Sequence, residues 1–283
     1  MTNGANPTVH KRQLGMALTA LREKAGKSVD DVAALLECSS AKIRRVECGD
    51  VAVRASELKD VLDFFSATKT ERRELEDLGR EARKRAPHTP YGAVLPDFFR
   101  KFFSLEQIAA EILLYHAEII PGQFQTPEYA RALIEANPTH EPEEIDRLIQ
   151  ARQTRLSRIT RDEDPQRQHV VLHEAAIRTM VGGPVVMKDQ LLYLRKLASM
   201  SNVTIQVIPF SAGAHAATGL PFILLRFPDN VRNAVYLESL TSANSLDDPA
   251  HVAQYEMTFR HVVGAAFSPT KTSALLATVA GEL

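Results

Sequence analysis

The sequence predicts an all-α bundle of five helices followed by a larger α+β (mixed α/β) domain. Three observations predict it. Up to about residue 82, apolar side chains recur at helical spacing between capping residues; a basic stretch from Arg80 then runs into Pro87 and Pro90; and from His169 short β-rich runs alternate with helical segments. At 283 residues, with 45% hydrophobic and 24% charged residues, the chain is long enough for two cores. The boundary is expected near residue 86, giving domains 1–86 and 87–283.

The first helix follows from Leu14, Leu18, Leu21 and Ala25, which share one face, with Gly26 as its stop. Ser28 is placed to cap the second, with Asp31 completing a capping-box variant and Val29, Val32, Ala33 and Leu36 as the apolar stripe. Only Glu37-Cys38-Ser39 separates it from a third segment that Ser39 caps and Gly49 ends. Two helices joined by so short a turn form a helix-turn-helix unit. Leu58, Val61, Leu62 and Phe65 make a fourth helix; Leu75, Leu78 and Ala82 make a fifth, with Thr68 and Glu71 as its capping box.

At about 100° per residue, the third helix turns Ile43, Val46 and Glu47 to one side and Ala41 and Arg45 to the other, flanked by Ser40, Lys42 and Arg44. Small and cationic side chains on one arc suit a major groove, because a guanidinium donates two bonds to guanine and short neighbours permit close approach. Arg45 is the expected base reader. Unpaired N–H groups at helix starts bind phosphate, so Ser28 and Ser39 are expected backbone anchors. Double-stranded DNA is thus the expected partner, against the plainer alternative of a bundle with a solvated cationic face.

Charge agrees with this division. Residues 1–86 hold 17 Lys and Arg against 14 Asp and Glu, inside a formal total of −1. Cys38 and Cys48 are the only cysteines and have no zinc-ligand companions at the required spacing, so a reduced, metal-free protein without cofactors is expected. No apolar run approaches the roughly 20 residues of a membrane span, and a cytoplasmic, nucleoid-associated location is expected.

In the back domain, Phe99, Phe102, Phe103, Ile108, Ile112 and Leu113 predict one or two helices, broken at Pro121-Gly122. Thr126 and Pro127 open another. The Arg-rich stretch Glu141 to Thr160, with Arg147, Arg152, Arg155 and Arg158, and Arg161 just beyond, reads as a solvated helix rather than a second nucleic-acid surface, because Glu143, Glu144 and Asp146 dilute it. Strands are expected at His169 to Leu172, Val203 to Phe210, Phe222 to Phe227 and Ala234 to Glu238. Helices are expected over Met187 to Met200, Pro249 to Val263 and Pro269 to Ala280.

Tests for enzyme signatures fail: the chain has no His-Glu-x-x-His, no Gly-x-Ser-x-Gly and no Gly-x-x-x-x-Gly-Lys, so it is expected not to be an enzyme. His173 beside Glu174, and His215, are weighed as catalytic residues or metal ligands, and the structural reading of such scattered histidines is preferred. Ser211, Gly213 and His215, in the small-residue stretch after the Val203 strand, are candidate ligand-binding residues, because loops at strand ends line the crevices of α/β sheets.

The front residues resemble the Xre-type, phage-repressor-like helix-turn-helix domains over about residues 11–66. The resemblance lies in Leu21-Arg22-Glu23 through Gly26, Ser28-Val29-Asp30-Asp31-Val32-Ala33, and Ser39-Ser40-Ala41-Lys42-Ile43-Arg44-Arg45-Val46-Glu47 with Gly49. It implies an ion pair between Arg22 and Glu47. Two positions depart from the pattern: Glu37 stands where the family usually has Gly, and Val29 where it often has a DNA-contacting Gln. Residues 97–283 are similar to the C-terminal domain of actinobacterial Xre-type regulators described as antitoxin-like, including the WhiJ-like regulators. The similarity lies in Pro121-Gly122-Gln123-Phe124-Gln125-Thr126-Pro127-Glu128-Tyr129-Ala130-Arg131, Val207-Ile208-Pro209-Phe210 and Val235-Tyr236-Leu237-Glu238. The resemblance implies gene regulation beside a small partner protein encoded nearby. A homodimer reading two half-sites is expected, its back domain acting as an interaction module or closing on a small-molecule effector.

Overall fold

The computed structural model describes residues 7–84, 95, 97–137, 141–228 and 231–283. The chain divides into two compact units, Met1–His88 with Phe227–Arg232, and Thr89–Arg226 with Asn233–Leu283. The boundary expected near residue 86, with its Pro87 and Pro90, lies outside the described residues.

The first unit is the expected five-helix bundle: α1 (Pro7–Lys24), α2 (Val29–Leu35), α3 (Ser40–Glu47), α4 (Ala55–Phe64) and α5 (Lys69–Ala82). Its core collects the apolar stripes, with Leu14, Leu58 and Leu62 at 2%, 1% and 0% exposure. Each such side chain contributes about 1.5–3 kcal/mol by leaving water. Polar groups end the helices where the sequence placed them. Ser28 and Asp31 exchange the two bonds of a capping box, as do Thr68 and Glu71, and Ser39 Oγ accepts from Lys42 N at 3.3 Å.

The second unit contains α6 (Asp97–Ile108), β1 (Glu111–His116), a 3-10 turn (Gly122–Phe124), α7 (Pro127–Glu135), α8 (Pro142–Thr160), β2 (Arg167–His173), α9 (Glu174–Arg178) and α10 (Gly183–Leu197). Then follow β3 (Val203–Ile208), a second 3-10 turn (Phe210–Ala212), β4 (Phe222–Arg226), β5 (Ala234–Glu238), β6 (Ala243–Leu246), α11 (Pro249–Ala265) and α12 (Pro269–Gly281). The six strands form one sheet in the order β3-β2-β1-β4-β5-β6. β1, β2 and β3 run parallel through helical crossovers, and β4, β5 and β6 continue from β1 as an antiparallel meander. This is the expected mixed α/β domain. On one face Leu113, Tyr115, Val171 and Val235 pack with Val252, Phe259 and Val262 of α11. Alternation turns Tyr236 to the opposite face, where Phe102 of α6 stacks on it at 4.1 Å. The parallel strands end together at His116, His173 and Ile208.

Two expectations are corrected. Ile112 and Leu113 belong to β1, not to a helix; a strand buried on both faces presents Ile-Leu-Leu-Tyr as an unbroken apolar run, which periodicity cannot separate from a helix segment. The Arg-rich α8 is not merely solvated. Arg155 is buried and donates from Nε and Nη2 to Glu106 at 2.6 and 2.7 Å, and from Nη2 to Gln123 Oε1 at 2.9 Å. Arg152 Nη1 donates to Gln125 Oε1 at 2.8 Å, and burial, then the neighbouring Arg155, lowers its guanidinium to about 10.

These bonds explain the unusual segment from Pro121 to Arg131. Gln123 and Gln125 receive the two arginines of α8, Thr126 caps α7 by accepting from Tyr129 N, and the Thr126 N–H donates to Gln190 of α10 at 2.7 Å. The segment is where α7, α8 and α10 are pinned together. β6 was not anticipated: Ala-Asn-Ser-Leu is a short edge strand with no apolar alternation to announce it.

Candidate nucleic-acid interface

The third helix of the front unit, α3, is held from three directions. From α1, Arg22 Nε and Nη2 donate to Glu47 Oε1 and Oε2 at 2.7 and 3.1 Å, and Arg22 Nη1 donates to the Lys27 carbonyl at 3.0 Å. Gly15 lets the two helices touch: a Cβ there would lie 2.3 Å from the Glu47 carbonyl oxygen. Gly49, at φ +74°, ends α3 where a Cβ would meet the Arg12 backbone at 2.7 Å. From α4, Glu57 accepts from Lys42 Nζ at 2.6 Å and from Arg54 N at 3.2 Å. Burial opposes ionisation of Glu57, but these bonds outweigh it and hold the carboxyl below its ordinary value. From α2, Asp30 Oδ1 accepts from Ser40 Oγ at 2.5 Å.

What α3 leaves exposed is Ala41, Arg44 and Arg45, with Ser39 at its start. The Arg44 and Arg45 guanidiniums form no hydrogen bond or ion pair with another described residue. Both lie in the last turn of α3, where the helix dipole favours cations. The arc is therefore narrower than the sequence implied. Lys42 and Ser40 are half-buried and engaged with Glu57 and Asp30, and only Arg44 and Arg45 of the three expected cations are unpaired among the described residues.

The two expected phosphate anchors differ in their surroundings. Ser28 exchanges its hydroxyl and N–H with Asp31, whose carboxyl these bonds hold below its ordinary value, and Asp30 and Asp31 stand exposed in the first turn of α2. Two carboxylates beside the cap disfavour a phosphate there. The start of α3 keeps its Ser39 cap and has no acidic residue of its own in its first turn. The turn closes through Cys38 N to the Ala33 carbonyl at 2.9 Å, with Glu37 at φ +48°, the left-handed conformation that a Gly would adopt without strain.

In the second unit, Ser211 and Gly213 are exposed on the loop after β3 and do not join a cluster, whereas His215 does. Its Nε2 lies 3.2 Å from Tyr115 Oη of β1, and its ring centre 6.0 Å from that of His173, the last residue of β2. Glu174 accepts from Arg178 Nε and Phe210 N at 2.7 and 2.8 Å. Sequence reasoning missed Gly15, Asp30 and Glu57, whose partners lie 10 to 32 residues away without a local signal, and Tyr115, which no motif singles out. Among the described residues no helix is long and apolar enough to cross a membrane.

Residues 13–75 match the family described as Helix-turn-helix domain, and residues 99–278 match the family described as Domain of unknown function (DUF5753). No curated protein and no solved structure matches the chain. The helix-turn-helix domain supports DNA as a partner of the front unit.

Proposed function

The chain belongs to the DUF5753 family, which covers more than half of its length behind a helix-turn-helix domain, and from that premise we propose that it is a sequence-specific transcriptional repressor of the Xre type. The protein binds as a homodimer, each α3 entering a major groove, so that two half-sites lie about one helical turn apart. It is not an enzyme and needs no cofactor or metal. Its second unit, of the WhiJ-like, antitoxin-like kind, controls DNA binding through a small-molecule effector or a small partner protein. It works in the cytoplasm, on the nucleoid.

The observation that carries the reading is the Ala41, Arg44 and Arg45 arc, exposed on a helix that Arg22, Glu57 and Asp30 hold in register. A rigid helix presenting two unpaired guanidiniums past a small residue is the arrangement that base readout requires. The test is binding to fragments of the protein's own promoter region at two salt concentrations, with Arg44→Ala/Arg45→Ala as control. Salt-sensitive binding that the double variant loses supports the proposal, and no binding by the wild type, alone or with native cell extract added, refutes it.

A second reading, an antitoxin-like interaction module with DNA binding secondary, is favoured by exposed apolar side chains on α10. Val185 and Leu192, seven residues apart on one helical face, are 74% and 43% exposed, and Met180 just before the helix is 50% exposed. Co-purification of a stoichiometric small protein that Val185→Asp releases would support it; sedimentation as a lone homodimer from its native cell extract would not.

A further inference from the structure

We propose that the carboxyl ends of β1, β2 and β3 form a binding site for a small organic carboxylate, received by the Tyr115 hydroxyl and the His173 imidazole. The site deepens the effector part of the reading above, and rests on it for its regulatory meaning.

Backbone donors fix the protons of the cluster. Ala217 N donates to His215 Nδ1 at 3.3 Å, so that nitrogen carries no hydrogen and the ring proton sits on Nε2. Nε2 faces Tyr115 Oη at 3.2 Å and donates to it, which leaves the phenol's own proton without an acceptor among the described residues, although Tyr115 is only 1% exposed. His173 repeats the pattern. Ala175 N donates to its Nδ1 at 3.2 Å, its Nε2 carries the proton, and no described residue accepts it. Burial and then the facing His173 hold His215 below the ordinary imidazole value, in keeping with a neutral ring there.

Two uncommitted donors therefore flank the His215 ring, Tyr115 Oη 3.2 Å from its Nε2 and the His173 ring centre 6.0 Å from its own, and the carboxylate beside them is engaged elsewhere. Glu174 accepts from Arg178 on one oxygen and from the Phe210 N–H on the other. Donors without an acceptor select an oxyanion over a cation, and a carboxylate has an oxygen for each. The rim supplies contact for an apolar body. Phe210 is 55% exposed with its ring 5.3 Å from that of His173, and Leu220, on the same loop, is 60% exposed. The place is also the one chemistry favours in such sheets, outside the carboxyl ends of parallel strands where the chain changes direction, from β3 across to β4 on the far side of β1.

The experiment follows the imidazole nitrogens of the full chain by NMR during titration with benzoate, with benzyl alcohol as the neutral isostere and inorganic phosphate as the bare anion. Benzoate is expected to saturate in the millimolar range or below, with shifts concentrated on His173 and His215 among the nine histidines. Tyr115→Phe and His173→Gln should each weaken it about fivefold or more, the effect of one lost charge-assisted bond. Tyr115→Phe keeps the ring and should melt as the wild type does; if it unfolds, His173→Gln carries the test. Absence of a saturable benzoate shift, or one that survives both substitutions, would overturn the site. Benzyl alcohol binding as tightly as benzoate would overturn the oxyanion assignment, and phosphate doing so the apolar one. Promoter binding by the protein with and without benzoate separates the two readings: DNA bound with no benzoate shift sinks this site alone, whereas a benzoate shift in a protein that binds no DNA in either state sinks the regulator.

Discussion

Arg22 and Glu47 meet in a two-pronged ion pair, 2.7 Å from Nε to Oε1 and 3.1 Å from Nη2 to Oε2, with side chains 12% and 13% exposed. The pair joins α1 to the last turn of α3 and therefore fixes the angle at which Arg44 and Arg45 are offered. Its net contribution to stability is modest, because both charges gave up water, but removing one partner strands the other. Glu47→Ala should cost about 2–3 kcal/mol. Arg22→Met/Glu47→Leu should lie closer to wild type in denaturant melts than Glu47→Ala does. A double variant less stable than the single would show that the pair is a true stabiliser.

Arg45 and Lys42 differ in what they have free. Arg45→Ala should cost about 1–3 kcal/mol of specific binding and relax preference at one base pair. Lys42 is engaged with Glu57, so Lys42→Ala should change the salt dependence by less than the full counterion that a free phosphate contact releases. Anisotropy titrations over a salt series measure both; a full-unit change of slope for Lys42→Ala would mean that the lysine leaves Glu57 when DNA arrives.

Asp30 is a carboxylate against the start of α3, the helix proposed to enter the groove. At about 8 Å from a phosphate in water, its repulsion is about 0.5 kcal/mol. Asp30→Asn, which keeps an acceptor for Ser40, should tighten promoter binding about twofold at low salt, and the gain should fade as salt rises. Weaker binding by this variant would show that seating Ser40 matters more than the charge.

Glu37 holds φ +48° in the turn between α2 and α3. Glu37→Gly removes a strain of about 1–2 kcal/mol and adds unfolded-chain entropy of about 0.5–1 kcal/mol. The variant should be more stable by about 0.5 kcal/mol, read as a rise in melting temperature with DNA affinity unchanged.

How far the sequence disclosed these relationships follows from how local they are. Caps such as Ser28 with Asp31 and Thr68 with Glu71 act over three residues, and the apolar stripes of α1 to α5 repeat every turn, so the front bundle was legible throughout. The exposed arc of α3 was legible as a direction but not as a set of free charges, because Lys42 finds Glu57 and Ser40 finds Asp30 across the tertiary fold. In the back domain, the loop holding His215 could be marked as a strand-end loop. That Tyr115 would end beneath it depended on β1 being recognised as a strand, which an apolar run buried on both faces does not announce.

One cap of the front bundle contributes to its acid sensitivity. The Thr68 N–H and hydroxyl, then Lys24, hold the Glu71 carboxyl at about 2, below its ordinary 4.5. A carboxyl whose value is lower in the folded than in the unfolded chain adds stability above the unfolded value, and that stability is lost as pH falls toward the folded one. The contribution from Glu71 is thus complete above about pH 5 and disappears between about pH 4.5 and 2. Glu71→Gln retains a side-chain acceptor but has no proton to gain. It should be less stable than the wild type at pH 7, and the gap should close as pH falls through this window. Melting temperatures of both proteins from pH 7 to pH 3 measure it; curves that stay parallel would place the acid sensitivity elsewhere in the chain.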